Sequence, residues 1–355
     1  MITPRFCLLL RLSLQLPSPD GIMRAMRRWR PWIGIAVSLI CLALALVGIE
    51  WDQVGVALRQ AEWRYLIPAG GALLAYLVAR SIRWRILLGP GVSLAESFAV
   101  TNIGYLVSNV LPFRLGDPAR AVAIGLGGRV RMGAALSTVV VERVLDMLMV
   151  VLLLAATLPF VGEAGWTREA GMFAGVAALA ALAVLVVLAR RPEWGQRALE
   201  WGLARVPRID RKRWARMLGG ILEGLAALRS AQRAAGLLVW SVVTWAFTVG
   251  YYFAILWAFL DRPSLAEGSF LTCATGLGMA LPSSPGAMGV FHSVARYALQ
   301  LPFDVPVEKA VVVAFASHAF QYVLMCLLGL IGLARQNLSL SRLQADVANI
   351  GKGVK

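Results

Sequence analysis

Long apolar runs set the first limit on how this 355-residue chain can fold. Segments such as Trp32–Ile49, Ala170–Ala189 and Val311–Ala334 carry no acidic residue, lysine or arginine. A run of about 20 apolar residues lets one helix cross the hydrocarbon core of a bilayer. The chain is 59% hydrophobic and 15% charged, whereas soluble domains carry about 25% charged residues. The sequence therefore predicts an all-α polytopic membrane protein with about six to eight transmembrane helices.

The basic residues concentrate in a few connecting segments, which is typical of cytoplasmic loops beside anionic lipid. Arg24, Arg27, Arg28 and Arg30 precede the first span, and RSIRWR (80–85) is interpreted as a cytoplasmic anchor with Trp84 at the interface. The net charge of +16 therefore does not predict nucleic-acid binding, since few aromatic residues interleave with the basic runs. We expect a bacterial inner membrane protein with both termini in the cytoplasm.

The chain divides into a leader, one membrane domain and a tail. Residues 1–31 form an N-terminal cytoplasmic leader, of which 1–22 are either disordered or a mis-assigned start. Residues 32–335 form a single transmembrane domain that includes a basic cytoplasmic loop at 190–233, and 336–355 form a cytoplasmic tail. Within the loop, apolar residues recur at helical spacing over 214–229, which favours an interfacial helix over a solvated loop.

Two short apolar segments are interrupted by proline. Ser97–Phe113 is too polar to face lipid, Pro112 breaks it, and Asp117 with Pro118 starts a short helix. Ser269–Ala280 breaks at LPSSPG (281–286), and a helix is predicted from about Pro285. These two re-entrant or broken helices share the pattern L-P-x-x-x-G, which indicates either an inverted internal repeat or a chance similarity.

Charged residues lie inside an otherwise apolar helix predicted over Met132–Phe160. Glu142 and Asp146 share one face, and Arg143 can pair with Asp146. Because a charge at the bilayer centre costs about 3 kcal/mol, we expect these residues to face one another, a cavity or a charged ligand. The alternative is a span that begins at Val144 and leaves Glu142 and Arg143 at the interface.

The two breaks supply further candidate ligand-binding groups. Arg114 and Arg120 flank the first break, where they hold a phosphate or form a buried ionic lock with nearby carboxylates. At the second break, Ser284 precedes a helix start whose positive end suits an anion, and Gly286 and Gly289 permit close backbone approach. A simple helix corner is the competing interpretation.

The sequence offers no pattern for metal or nucleophilic catalysis. Cys7, Cys41, Cys273 and Cys326 are far apart, His292 and His318 are the only histidines, and HExxH, P-loop and GxSxG motifs are absent. We expect no metal, no cofactor and no enzymatic activity. His318 is interpreted as a polar side chain at a helix interface rather than as a proton relay.

Three motifs together resemble a known family. They are NVLPFRLGDPAR at 109–120, ERVLD at 142–146 and PSSPGAMG at 282–289. Their order is similar to that in the lysylphosphatidylglycerol synthase transmembrane, or flippase-like, family. The resemblance implies a helical bundle with re-entrant segments that moves a lipid between leaflets. Ala287 stands where the family usually has glycine, and His292 where it commonly has a carboxylate. The tail after Ala334 is too short for the namesake's aminoacyltransferase domain.

Our hypothesis is a flippase-like transporter that binds a lipid with an anionic or phosphate-bearing headgroup. The arginines receive the phosphate, the carboxylates hold the arginines when the site is empty, and the breaks act as hinges. The alternatives are an intramembrane transferase with Glu142 or Asp146 as its base, and a non-transporting partner of a lipid-modifying enzyme. The predicted substrate-binding residues are Asn109, Arg114, Asp117, Arg120, Glu142, Arg143, Asp146, Ser284, Gly286 and Gly289.

Overall fold

The structure, a computed structural model, describes residues 35–111, 115–161, 165–204, 219, 225–279 and 283–350. Within those ranges the regular structure is helical, as the sequence predicts. The helices are α1 (Ile35–Leu46), α2 (Trp51–Gln60), α3 (Leu66–Leu88), α4 (Leu94–Val110), α5 (Gly116–Leu126), α6 (Met132–Thr157), α7 (Gly165–Arg190), α8 (Pro192–Ala204), α9 (Ala231–Phe259), α10 (Leu265–Gly278), α11 (Val290–Phe303), α12 (Val307–Arg335) and α13 (Leu340–Ile350).

Four helices in the described ranges are long and apolar enough to cross a membrane, and the α1–α2 pair, bent by 81°, adds a fifth candidate. Helix α6 has 26 residues, which span about 39 Å, but its three central charges interrupt the apolar composition. Counting the bent pair and α6 as spans gives six in the described ranges, the lower end of the sequence-based expectation. The shorter helices α4, α5, α10 and α11 form the two broken segments.

Polar residues at the helix starts explain several boundaries. The Ser93 hydroxyl accepts a hydrogen bond from the Glu96 backbone N–H (3.1 Å) at the start of α4. Ser264 and Glu267 form a capping box that begins α10. These caps satisfy backbone N–H groups that would otherwise lack partners in the first helical turn.

The helices bury two apolar clusters. One surrounds α4, α5 and α6 and includes Ile103 and Leu145, and the other joins α3, α9, α11 and α12 and includes Leu77 and Phe291. The C-terminal helix α13 packs Leu343 and Val347 into the first cluster. Residues that the sequence assigns to a cytoplasmic tail therefore contribute to the folded core.

The two halves of the bundle repeat the same packing. Helices α3, α4, α5 and α6 correspond in order to α9, α10, α11 and α12. Helix α3 packs along α9, and the contact between α4 and α12 has its counterpart in the contact between α10 and α6. Exchanging the halves therefore reproduces the helix pairs, as expected for a two-fold internal repeat. If α3 runs inward, as the basic loops predict, α9 runs outward and the repeat is inverted.

Glycines allow the broken segments to approach their neighbours closely. A Cβ on Gly116 would collide with the Gly104 carbonyl oxygen and the Ser108 hydroxyl. The first turn of α5 thus lies directly against the backbone of α4, which brings Arg120 to the centre of the first half. Gly289 has a φ of +83°, and a Cβ there would collide with the Ser38 carbonyl oxygen on α1.

Candidate functional site

Two carboxylates on one face of α6 form the centre of a buried ionic cluster. Glu142 Oε2 accepts a hydrogen bond from Arg120 Nη2 at 2.6 Å, and Glu142 Oε1 accepts one from Arg83 Nη2 at 3.2 Å. Asp146, one turn later, accepts a bond of 2.6 Å from the same Arg83 nitrogen. Arg80 Nη2 makes ion pairs of 2.6 Å and 3.1 Å with the two carboxylates. The predicted shared face of Glu142 and Asp146 is therefore present.

The inner cluster is almost inaccessible, whereas its outer ion pair is open. The side chains of Arg83 and Glu142 are both 0% exposed, but that of Arg143 is 47% exposed. Arg143 Nε and Nη2 donate to the two Asp117 carboxylate oxygens at 2.7 Å each. This bidentate geometry is the one that guanidinium groups also use for phosphate. The accessible edge of the cluster is therefore the Arg143–Asp117 pair.

Arg80 and Arg83 are site residues that the sequence interpretation missed. They belong to RSIRWR, which was interpreted as a cytoplasmic anchor, yet both lie buried inside the bundle. Trp84 is also buried rather than interfacial, where its Nε1 donates to the Thr138 hydroxyl (3.1 Å) and its ring lies 4.4 Å from the Arg120 guanidinium carbon. Arg85 alone of these three arginines stays exposed. The sequence feature that pointed to them is the i, i+3 spacing of Arg80 and Arg83, which places both on one face of α3.

The cluster carries more positive than negative charge. Four arginines, Arg80, Arg83, Arg120 and Arg143, face the three carboxylates Asp117, Glu142 and Asp146. Within the described part of the chain, the buried Nε atoms of Arg80, Arg83 and Arg120 have no hydrogen-bond partner. Buried donors are normally satisfied, so the cluster retains capacity for a further acceptor.

The other predicted site residues form a separate group, which we call the break junction: Asn109, Ser284, Gly286 and Gly289. The Asn109 carbonyl oxygen accepts a hydrogen bond from the Tyr322 hydroxyl at 3.3 Å and lies 3.5 Å from the position of a Cβ on Gly286. The two breaks therefore meet, as the repeat suggested, and among the described residues no hydrogen bond or ion pair joins the break junction to the ionic cluster. Arg114 lies outside the described residues.

The second break differs from its predicted form. Pro285–Ala287 is a single 3₁₀ turn, and Gly286, Ala287 and Gly289 have positive φ angles, so α11 begins at Val290 rather than at Pro285. The Ser284 hydroxyl donates to the Met288 carbonyl at 3.3 Å, and the Ser284 N–H donates to the Ser38 hydroxyl at 2.8 Å. The expected helix end facing an anion at Pro285 is thus absent from the described chain. Residues 284–289 instead form a turn with left-handed backbone angles, which is hydrogen-bonded to Ser38 on α1.

The first break is closer to its prediction. Helix α5 begins at Gly116, one residue before Asp117, with Pro118 in its first turn. The Asp117 carboxylate binds Arg143 instead of capping the helix. The 214–229 segment, for which an interfacial helix was predicted, lies largely outside the described residues.

Comparison with known proteins agrees with this architecture. The family described as the lysylphosphatidylglycerol synthase TM region matches residues 32–329. This chain belongs to that family. A UPF0104 membrane protein of Methanothermobacter thermautotrophicus is 24% identical over 278 residues, which cover 73% of this chain and 82% of the relative. No solved structure matches the chain. The family places the protein among membrane proteins of lipid metabolism or transport.

Proposed function

We propose that the protein is a flippase-like lipid transporter of the bacterial inner membrane, with both termini in the cytoplasm. It binds an anionic or phosphate-bearing lipid headgroup at the ionic cluster and moves it between leaflets. The observation that carries this proposal is the cluster itself, in which four arginines outnumber three carboxylates inside an apolar bundle. A buried excess of positive charge is costly unless an anion balances it.

The position of the cluster suits a lipid headgroup in transit. Glu142 is the eleventh residue of α6, so it lies about 15 Å from the start of that helix. A headgroup bound there is roughly midway between the two membrane surfaces. The cluster thus offers charge compensation where a moving headgroup needs it most.

The Arg143–Asp117 pair supplies the entry step. Arg143 is the most exposed arginine of the cluster, and its bidentate contact with Asp117 closes the accessible edge. A lipid phosphate replaces the Asp117 carboxylate on Arg143, because both present two oxygens with matching geometry. The inner arginines then attract the bound anion, and their free Nε–H groups offer further donors.

The geometry does not favour a transferase. Glu142 contacts Arg80, Arg83 and Arg120 through its two carboxylate oxygens. A general base must reach the proton it abstracts, and these arginines occupy the oxygens that would do so. A non-transporting role beside a lipid-modifying enzyme has no specific structural support, and the experiment below includes it as an outcome.

Native mass spectrometry of the purified protein tests the proposal. Wild type is compared with Arg143→Ala and with a control, Arg129→Ala. Arg129 is also an exposed, ion-paired arginine, since its side chain is 58% exposed and contacts Glu96 at 3.0 Å, but it lies outside the cluster. We expect one anionic lipid class to be enriched on wild type and on the control, and to be lost from Arg143→Ala.

Equal and unselective lipid on all three proteins would overturn the binding site and leave the cluster as a structural lock. A stoichiometric protein companion in place of lipid would favour the partner role instead. A lipid product formed when the pure protein is incubated with lipid extracts would favour the transferase.

A further inference from the structure

Two buried histidines connect the second break to the long helix α12. His292, in the first turn of α11, and His318, in the middle of α12, are 3% and 4% exposed. His292 Nε2 and His318 Nδ1 are 3.1 Å apart, and the Gly289 N–H donates to His292 Nδ1 at 3.2 Å. The pair therefore joins Gly289 of the break to α12.

These contacts fix where the protons sit. Because His292 Nδ1 accepts from Gly289, it carries no proton, and a neutral His292 must carry its proton on Nε2. That N–H donates to His318 Nδ1, so a neutral His318 carries its own proton on Nε2. If His318 Nδ1 donated to His292 Nε2 instead, both nitrogens of His292 would be acceptors. His292 would then carry no proton and would be an imidazolate. A single arrangement, with both rings neutral, satisfies both hydrogen bonds.

Adding one proton to this pair must break one of the two bonds. A proton on His292 Nδ1 opposes the Gly289 N–H, and a proton on His318 Nδ1 opposes the His292 Nε2–H. We propose that the His292–His318 pair is a proton-binding site that holds the second break closed while both rings are neutral and releases it when one proton binds. Its use in coupling lipid movement to a proton gradient rests on the function proposed above.

The histidine pair lies where opening of the second break would affect neighbouring helices. On one side, the break is fastened to α1 through Ser38, which accepts the Ser284 N–H and lies against Gly289. On the other side, one turn after His318, Tyr322 donates to the Asn109 carbonyl at the first break. A change at the histidines thus reaches α1, α12 and both breaks over short distances.

The internal repeat supports this assignment. Arg143 and His318 are each the twelfth residue of their helices, α6 and α12, and Asp117 and His292 lie in the first turns of α5 and α11. The His292–His318 contact therefore joins α11 to α12, as the Asp117–Arg143 ion pair joins the corresponding helices α5 and α6. One half of the protein closes its break with fixed charges, and the other with neutral rings that gain charge only when a proton binds.

The surroundings of the pair offer it no competing charge. The titratable groups on α1, α4, α9, α10, α11 and α12, besides the pair itself, are Cys41, Glu96, Tyr105, Arg233, Tyr251, Tyr252, Glu267, Cys273, Arg296, Tyr297, Glu308, Lys309, Tyr322, Cys326 and Arg335. Arg296 is occupied, since its Nη1 donates to the Leu44, Ala45 and Val47 carbonyls at the end of α1. Tyr251 donates to the Ser317 carbonyl. Among the described residues no carboxylate contacts either ring, so a bound proton would have to be balanced by rearrangement.

The chain has only two histidines, which makes the pair directly observable by imidazole ¹⁵N NMR of the full chain in lipid nanodiscs. At about pH 7.5 we expect both rings to carry their proton on Nε2. On acidification to about pH 4, exchange of the Gly289 amide with deuterium, corrected for its intrinsic rate, should rise about tenfold as the bond to His292 is lost. In His292→Asn, the side-chain oxygen can still accept from Gly289 but binds no proton, so this protection should not depend on pH.

The proposal would be overturned if the NMR spectra showed either ring protonated on Nδ1 at neutral pH. This measurement uses the wild-type protein alone. Unchanged Gly289 protection in acid, or an equal loss in His292→Asn, would also overturn it. The lipid measurement with Arg143→Ala is made at neutral pH and does not involve the histidines. Failure of the proposed function and failure of the proton site are therefore distinguished by separate readouts.

Discussion

At the scale of single residues, Glu142 is the group on which the ionic cluster depends. It contacts three buried arginines and has no exposed surface. Glu142→Gln leaves those guanidinium groups without their shared counter-charge, so we expect the free energy of unfolding to fall by about 3–5 kcal/mol. Thermal unfolding in detergent, followed by circular dichroism, measures the change as a lower Tm.

The matched control is Asp117→Asn, which removes the carboxylate of the exposed pair and should cost about 1 kcal/mol or less. A second variant, Glu142→Gln with Arg83→Met, removes one charge of each sign and should recover part of the lost stability. If Glu142→Gln unfolded at the wild-type temperature, the cluster would not be the structural centre that its burial indicates.

At the scale of helices, close packing between α4 and α12 joins the two halves. A Cβ on Gly332 would lie 2.7 Å from the Ala99 carbonyl oxygen, and one on Gly329 would lie 2.7 Å from the Asn102 carbonyl oxygen. Small residues at such contacts let helix backbones approach in membranes, where packing replaces the hydrophobic effect as the driving force. The junction of α4 and α12 is therefore intolerant of added side-chain volume.

Gly332→Ala should lower the Tm, although alanine favours helix over glycine by about 1 kcal/mol. Gly71→Ala on α3 is the control, because a Cβ at Gly71 meets nothing within 4 Å. It should keep or raise the Tm, since it gains the same helix propensity without a collision. Equal shifts in both variants would mean that the α4–α12 contact is not tight.

At the scale of the whole molecule, the inverted repeat predicts opposite sides for corresponding loops. Gly91 lies between α3 and α4, and Arg262 lies in the corresponding loop between α9 and α10. In a cysteine-free background, an impermeant maleimide added to spheroplasts should label Arg262→Cys and leave Gly91→Cys unlabelled until the membrane is permeabilised. Labelling of both residues from one side would contradict the inversion.

The sequence determined the features that depend on local composition. The apolar runs predicted the helical membrane class, the prolines located both breaks, and the helical spacing of Glu142 and Asp146 placed them on one face of α6. Each of these follows from hydropathy, backbone restriction or helical periodicity within a short window. The loops with basic residues likewise gave a topology that remains a prediction.

The tertiary structure decided which distant groups meet. Arg83 reaches Asp146, 63 residues later in the chain. The i, i+3 spacing of Arg80 and Arg83 indicates a shared face of α3, but not whether that face is buried or anchors the helix in the cytoplasm. Packing also brought Asn109 to Gly286 of the second break, and it brought His292 to His318 across two helices. The physical reason is that an ion pair or a hydrogen bond depends on which helix faces lie against each other. That arrangement is fixed by the packing of the whole bundle rather than by any one segment.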